Sequence, residues 1–361
     1  MPDWEPPEFS KSQVANAGKV LKEHHDSVSD EVLNAFRVAH TWRASHIVPM
    51  RAMRAELIGK ARRAGGDALT AARLKRMSSL RAKLRRTPHT LYQMQDIAGC
   101  RAIMPNQTAV DRLLALYRSE AAHIFRAEND YISAPKDSGY RSHHLIFRYQ
   151  GQEQYEAWNR SPMFVEVQLR TRLQHAWATA VEAVGMVRGE DLKSGAGDVD
   201  WLRFFALMAA EIASAERATL VPGTPASDIE RREEILALER GLNALATLEK
   251  YRQAVKISET VSTRAPFYLI QFDAANQQVK VRGVSLSASS SALDDAEYGN
   301  QLNSVLVAVD KLSDLRSAYP NYFLDVQMFA TCLKRVVSPP PKTSAFIDGS
   351  WLRAWLRGRR G

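Results

Sequence analysis

A strand pattern followed at once by a helix pattern constrains the fold of this chain most strongly. Apolar and polar side chains alternate over Phe164–Thr171 with the two-residue period of a β-strand. The apolar helix pattern of residues 173–184 predicts that this strand lies inside a sheet. Its polar side, Glu166, Gln168 and Arg170, then needs a ligand or a hydrogen-bond network. Glu166 is therefore a candidate metal ligand or general base.

A second strand pattern begins at Asp96 and places Arg101 and Ile103 on one face. Gly99 permits a bulge or a close approach of another backbone. Asp96 either caps a turn or binds Mg²⁺, which takes one or two carboxylates together with substrate phosphate oxygens. The amphipathic pattern of residues 108–123 predicts a helix packed on the sheet.

An aromatic residue flanked by cationic groups marks residues 131–144. A loop is predicted from Ser133 to Gly139, before a strand that begins at His144. Lys136 and Arg141 lie on either side of Tyr140 in the sequence. This pattern suits a nucleotide base stacked on the ring with its phosphates nearby, although Tyr140 as a plain core residue stays open.

The densest basic run of the chain extends from Arg73 to Arg86 and contains no acidic residue. We interpret it as a helix on which Arg73, Arg76 and Lys83 share one face. Like charges at this density favour an anionic partner such as phosphate, and a solvated helix face is the alternative. The whole chain has a formal net charge of +9, which also suits nucleotide or RNA.

The remaining composition narrows the class of protein. Cys100 and Cys332 are far apart, which argues against a disulfide scaffold or a thiolate zinc site and fits a reducing cytoplasm. The N-terminus has no secretory pattern, and no apolar run reaches the length of a membrane span, so we expect a cytoplasmic protein without a membrane partner. Residues 10–63 predict helices, interrupted near Pro49. His24, His25 and Asp26 lack the further ligands that a metal-dependent hydrolase needs.

The segments D-I-A-G-C-R from Asp96, Y-I-S-A-P-K-D-S-G-Y-R-S-H-H from Tyr131 and E-V-Q-L-R-T from Glu166 closely resemble the synthetase domain of RelA/SpoT enzymes. The basic run from Arg73 resembles that family's ATP-side helix, so the resemblance covers roughly residues 50–190. It implies an α/β (α+β) fold: a nucleotidyltransferase-like mixed β-sheet flanked by helices. The activity implied is transfer of the β,γ-pyrophosphate of ATP to a ribose 3′-hydroxyl.

On the ATP side, the resemblance implies that Arg73 and Arg101 sandwich the adenine. The ATP phosphates would be held by Lys75, Lys83 and Arg86. With Mg²⁺ and these cations, charge on the transferring group would be offset.

At the reaction centre, the resemblance implies that Asp96 binds Mg²⁺ and that Glu166 helps to hold the metal or deprotonates the 3′-hydroxyl. Tyr140 would stack on guanine. The acceptor and phosphate path would be lined by Lys136, Arg141, His144 and Gln168. His143 stands where the family usually has an apolar residue, which leaves open which histidine faces the site.

We divide the chain into five parts from its composition and patterns. These are a helical N-terminal region (1–63), a synthetase core (64–190), a helical extension (191–260), a small α/β unit (261–337) and a basic, loosely ordered tail (338–361). The extension contains a helix over 228–259, N-capped by Ser227 or Asp228. The small unit contains a strand hairpin over 267–282 and a helix over 298–317.

The resemblance implies two possible functions, and the sequence leaves a third open. The first is synthesis of (p)ppGpp from ATP and GDP or GTP, without the family's hydrolase activity. The second is the same chemistry on the 3′ end of tRNA, as in toxic family members that act in phage defence. Some of these carry an antitoxin-like C-terminal domain that occludes the ATP site until a phage protein is sensed; Tyr319 and Tyr322 resemble its Tyr-x-x-Tyr element, or are plain core residues. The third is a non-catalytic nucleotide sensor. The acceptor, the oligomeric state and the trigger stay open.

Overall fold

The computed structural model describes residues 6–23, 29–65, 67–254, 256–260, 265–273, 278–285, 303–309, 312–319 and 326–338. The strands of this part of the chain are β1 Leu69–Leu74, β2 Ala98–Met104, β3 Ile124–Asp130, β4 His143–Arg148, β5 Phe164–Thr171, β6 Lys256–Thr260, β7 Phe267–Asp273, β8 Gln278–Val284 and β9 Asn303–Ala308.

The helices are α1 Lys11–Glu23, α2 Asp30–Ala44, α3 Ile47–Gly65, α4 Met77–Arg86, α5 Gln107–Glu120, α6 Glu156–Asn159, α7 Arg172–Arg188, α8 Val199–Glu216, α9 Asp228–Leu242, α10 Ala244–Ala254, α11 Leu312–Ala318 and α12 Gln327–Val337. None of the described helices is long and apolar enough to cross a membrane.

The described strands form one mixed sheet in the order β3-β4-β5-β2-β1-β9-β7-β8-β6. β5 lies between β4, to which it is antiparallel, and β2, to which it is parallel. The prediction of an internal strand at Phe164–Thr171 is therefore confirmed, as is the mixed α/β fold class.

Helices cover both faces of the sheet because successive strand residues point to opposite sides. Val165, Val167 and Leu169 are buried in one cluster with residues of α3 and α5. Residues of α7, α8 and α12 form the core on the other side, where Trp177 and Phe205 pack together. The polar residues that alternate with Val165 and Val167 therefore face the α7 side.

Two sequence interpretations were wrong because strand pairing decided the structure. Arg73 lies on β1, between β2 and β9, and the basic helix begins only at Met77. The helix predicted over 298–317 is a strand over Asn303–Ala308, followed by the short helix α11. Val305 and Val307 are buried on one side of β9 and Leu306 on the other, as in a central strand covered on both faces.

For other elements, the predicted and observed boundaries differ less. Pro49 lies in the first turn of α3, where a missing N–H costs little, and the break precedes it at Ser45 and His46. Ser227 is the N-cap of α9, but the helix predicted over 228–259 is α9, α10 and then β6. The hairpin of β7 and β8 is confirmed.

The small C-terminal unit predicted for residues 261–337 adds its strands to the sheet of the predicted core, because β9 pairs with β1. The five proposed parts of the chain remain a division made from the sequence. Residues 24–28 and 339–361, with most of the predicted tail, lie outside the described residues.

Candidate active site

A cavity of about 310 Å³ lies on the α7 side of the sheet. It is lined by Ala71, Arg73, Lys75, Asp96, Gly99, Cys100, Arg101, Tyr131, Lys136, Tyr140, His144, Glu166, Gln168, Lys193 and Tyr319. Predicted site residues from four separate segments of the sequence thus meet in one cavity.

Strand register explains this convergence. Arg73 on β1 is paired with Gly99 on β2, and Gly99 is paired with Glu166 on β5. In the next row of the same face, Arg101 is paired with Gln168. A Cβ at Gly99 would meet no atom closer than 3.9 Å, so the glycine leaves open space between Arg73 and Glu166. That space forms the floor of the cavity.

Asp96 lies just before β2 and is held by two lysines. Its Oδ2 accepts from Lys75 Nζ at 3.1 Å and from Lys83 Nζ at 2.8 Å. Burial acts to raise the pKa of Asp96, but Lys75 and Lys83 outweigh it and leave the pKa below its usual value. Its Oδ1 is buried and has no hydrogen-bond partner. An ionised carboxylate with one unpaired oxygen therefore faces a cationic surrounding.

Glu166 belongs to a continuous hydrogen-bonded chain. Its Oε1 lies 2.7 Å from His144 Nδ1, and because a carboxylate only accepts, Nδ1 donates. His144 Nε2 lies 2.8 Å from the Tyr140 hydroxyl, to which Arg170 Nη2 donates at 2.6 Å. Gln168 Nε2 donates to the other Glu166 oxygen at 2.6 Å. The chain fixes the orientation of each polar group on this face.

The structure shows which of the two histidines, His143 or His144, faces the cavity. His144 faces the cavity, whereas His143 is buried on the opposite face with Nε2 2.7 Å from Glu128 Oε1. Two successive strand residues cannot share a face, so only one histidine can reach the site.

Charged groups within this hydrogen-bonded chain strongly lower the pKa values of Glu166 and Tyr140. Burial acts to raise the pKa of Glu166, but the hydrogen bond and charge of His144 lower it to about 2. Burial also acts to raise the pKa of Tyr140, but the positive charges of Arg170 and His144 lower it to about 8. Glu166 is therefore ionised at neutral pH.

Tyr140 is buried in this conformation, with 7% of its surface exposed. Lys136 Nζ lies 5.5 Å and the Arg170 guanidinium 5.2 Å from its ring centroid. The more exposed Tyr131 has Lys136 Nζ 4.6 Å from its own ring. A base could stack on Tyr140 only after these neighbours move.

The C-terminal segment 312–319 contacts the side of the cavity that contains Arg101. Arg101 Nη1 donates to the Ala318 carbonyl at 3.1 Å, and its guanidinium lies 5.6 Å from the Tyr319 ring centroid. His175 Nε2 lies 3.3 Å from the Ser317 carbonyl. Burial, with the nearby Arg170, lowers the pKa of Arg101 to about 10. Tyr319 is itself buried and lines the cavity.

Residues 72–185, which include most of this cavity, match the model of a region found in RelA / SpoT proteins. The chain contains a RelA/SpoT-family region. GTP pyrophosphokinase YjbM of Bacillus subtilis (strain 168) is 32% identical over 110 residues, which are 30% of this chain and 51% of YjbM. The chain thus spans about half the length of this curated relative.

Solved structures also align with part of this chain. A GTP pyrophosphokinase family protein from Streptococcus pneumoniae is 23% identical, with 46% of this chain and 83% of that chain covered and a TM-score of 0.38. Small alarmone synthetase 1 from Bacillus subtilis, bound to its product pppGpp, is 25% identical, with 42% and 80% covered and a TM-score of 0.33.

Some predicted site residues of the RelA/SpoT region do not line the cavity. Lys83 is connected to the cavity by its ion pair with Asp96, which does line it. Arg86 is exposed and pairs with Asp191 at 3.0 Å. Arg141 is buried and donates to the carbonyls of Ile132 and Thr219, so it connects backbone segments in this conformation. Tyr322 lies outside the described residues.

Three further residues, Tyr131, Lys193 and Arg170, contribute to the site without a role predicted from the sequence. Tyr131 is the first residue of the motif Y-I-S-A-P-K-D-S-G-Y-R-S-H-H, but its position there predicts no specific role. Lys193 lies in a polar, glycine-containing break, where no local pattern distinguishes it from a solvated lysine. Arg170 was recognised as polar on an internal strand, yet its contact with Tyr140 depends on a distant loop.

Proposed function

We propose that this protein is an ATP-dependent pyrophosphokinase that transfers the β,γ-pyrophosphate of ATP to the 3′-hydroxyl of GDP or GTP to make (p)ppGpp. The observation that carries the proposal is the cavity itself. It brings Asp96 and Glu166 together with several cations inside a RelA/SpoT-family region. The name of the curated relative, GTP pyrophosphokinase YjbM, supports the same chemistry.

On the ATP side, Arg73 and Arg101 hold the adenine in this proposal, and Lys75 and Lys83 contact the phosphates. The two lysines already lie within 3.1 Å of Asp96 Oδ2, so phosphate oxygens arriving here would meet preplaced ammonium groups. Arg86 would have to leave Asp191 to contribute.

Mg²⁺ fits the residues present. Asp96 offers a buried Oδ1 without a partner, and Glu166 is a second carboxylate on the same cavity. The described residues contain no group of three or more His, Cys, Asp or Glu that could hold a metal. Mg²⁺ typically uses one or two carboxylates plus substrate phosphate oxygens, so Asp96 can hold the ion with or without Glu166. When bound, the ion would offset negative charge on the transferring pyrophosphate.

Glu166 acts as the general base in this proposal. The acceptor 3′-oxygen attacks the β-phosphorus of ATP, the bond from that phosphorus to the α,β-bridging oxygen breaks, and AMP leaves. The hydroxyl proton passes to Glu166, which His144 and Gln168 hold in place. The low pKa of Glu166 keeps it ready to accept, although binding of acceptor and ATP must raise that pKa for efficient transfer.

The acceptor side consists of Lys136, Tyr140, His144 and Gln168. Guanine stacking on Tyr140 requires that the loop carrying Lys136 open, because the Tyr140 ring is buried. In this proposal, the structure is a restrained state of the enzyme. The Tyr140 ring is buried, and segment 312–319 contacts Arg101.

We further propose that segment 312–319 restrains the enzyme. Tyr319 lies beside Arg101, which the adenine would otherwise contact, so ATP binding and Tyr319 docking compete. A protein that binds the C-terminal part of the chain and withdraws Tyr319 would act as the trigger.

The 3′ end of tRNA is a second candidate acceptor. The observation that favours it is the formal net charge of +9. The chemistry at Asp96 and Glu166 would be the same, and only the acceptor would differ.

One assay separates these functions. Purified protein is incubated with γ-labelled ATP and Mg²⁺ and offered GDP, GTP or deacylated tRNA, in the wild type and in Tyr319→Ala. Label in GDP or GTP supports the first proposal, and label in tRNA alone replaces it with the second. No transfer by either chain would leave a nucleotide sensor.

A further inference from the structure

The loop between α7 and α8 brings an additional cation into the cavity. Lys193 lies on the short 3₁₀ turn Leu192–Ser194 and lines the cavity together with Arg73, Lys75 and Arg101. Neither the sequence motifs nor the family region, which ends at residue 185, includes it.

Contacts on two sides fix the position of this turn. Lys193 Nζ donates to Glu182 Oε1 on α7 at 2.5 Å, and the adjacent Leu192 is buried. On the other side, Asp191 pairs with Arg86 of α4 at 3.0 Å. The turn therefore connects the basic helix to α7, and Lys193 is held at the cavity between them.

Glu182 is suited to position a cation. Burial acts to raise the pKa of Glu182, but Lys193, Arg73 and Arg101 outweigh it and hold the pKa well below its usual value. The ionised carboxylate thus lies in the field of three cations, and its single charge cannot neutralise all of them. Lys193 keeps positive charge available to a ligand.

The charge of the cavity points to the class of ligand. Its lining has five cationic side chains, Arg73, Lys75, Arg101, Lys136 and Lys193, and two carboxylates, Asp96 and Glu166. The cavity lining therefore has an excess of positive charge. An ordinary surface ion pair between Lys193 and Glu182 would not account for this excess, whereas a bound polyphosphate would neutralise it.

We propose that Lys193 binds a phosphate group of ATP and that Glu182 is its positioning residue. This inference rests on the proposed function, because it takes the cavity to be an ATP site. In this arrangement the loop after α7 forms one wall of the triphosphate site.

The test is binding of a non-hydrolysable α,β-methylene ATP analogue and of adenosine, measured by calorimetry on the full chain. Both wild type and Tyr319→Ala serve as backgrounds. The variants are Lys193→Ala, Lys193→Arg, Glu182→Gln and the double variant Lys193→Ala with Glu182→Gln. Lys250→Ala, which removes an exposed lysine elsewhere, is the matched control.

Lys193→Ala is expected to weaken analogue binding about tenfold, the worth of one charge-assisted hydrogen bond, and to leave adenosine binding unchanged. Lys193→Arg should retain most of the affinity. Glu182→Gln should cause a smaller loss, and the double variant should bind no more weakly than Lys193→Ala.

Equal losses in Lys193→Ala and Lys250→Ala, or a parallel loss of adenosine binding, would overturn the inference. So would absence of analogue binding in both backgrounds. If the analogue binds as expected but no acceptor receives pyrophosphate, the proposed function fails while Lys193 keeps its role.

Discussion

The guanidinium of Arg101, on β2, lies 5.6 Å from the ring centroid of Tyr319, which directly follows α11. The neighbouring carbonyl of Ala318 accepts a hydrogen bond from the same arginine. A strand of the RelA/SpoT-family region is thereby connected to the C-terminal part of the chain. In the proposed function, Tyr319 and the adenine of ATP would therefore compete for Arg101, which lines the cavity.

Tyr319→Ala is expected to raise the rate of pyrophosphate transfer. Loss of a cation–π contact worth about 0.5 to 2 kcal/mol would increase the open population by about twofold to thirtyfold. Steady-state rates at low ATP measure this. Tyr319→Phe keeps the aromatic ring and should therefore raise the transfer rate less than Tyr319→Ala does. A Tyr319→Ala chain that melts earlier but transfers no faster would show that the tyrosine is only a core residue.

Glu166→Gln is expected to lower kcat by about a hundredfold or more, because an amide cannot take the acceptor proton. Glu128→Gln is the matched control, since Glu128 contacts His143 on the opposite face of the sheet. Its kcat should stay within about twofold of wild type. Equal rates in the two variants would remove Glu166 from the mechanism.

Asp96→Asn is expected to abolish the effect of Mg²⁺ on ATP-analogue binding, because Asn supplies only a neutral oxygen. Asp67→Asn changes an exposed carboxylate that pairs with Arg172 and should behave as wild type. Calorimetric titrations with and without Mg²⁺ measure both. An Mg²⁺ response that survives in Asp96→Asn would contradict its role as a ligand.

Tyr140 is expected to ionise near pH 8, about two units below an ordinary tyrosine. Absorbance at the tyrosinate band should show one early group, absent in Tyr140→Phe and retained in Tyr131→Phe. Because its folded pKa is the lower one, Tyr140 adds stability that is fully present above pH 10 and is lost as pH falls towards 8. No ionisation below pH 9 would mean that Arg170 and His144 do not stabilise the anion.

Local patterns predicted two strands that position the candidate site. The two-residue period of β5 placed Glu166 on an internal strand, and the strand pattern beginning at Asp96 placed a second carboxylate next to β2. Neither needs knowledge of distant parts of the chain. That His144 and not His143 faces the site could not be decided, because the face depends on register with β5.

The failures arose where distant pairing decided the structure. β1 is short and alanine-rich, and its extended form depends on β2 and β9 rather than on its own residues. The apolar run around Val305 suits a helix or a buried strand equally, and its place between β1 and β7 selected the strand. Lys193 reaches the cavity through Glu182, a contact that no spacing in the sequence reveals.

Product stoichiometry tests the proposed reaction most directly. With ATP labelled at the α-phosphate, Mg²⁺ and GDP or GTP, the Tyr319→Ala chain should release one labelled AMP for each acceptor that gains a pyrophosphate at its 3′ position. The same count in Tyr319→Ala with Glu166→Gln should fall to background. Release of ADP in place of AMP, or AMP without a modified guanine nucleotide, would contradict synthesis of (p)ppGpp by this protein.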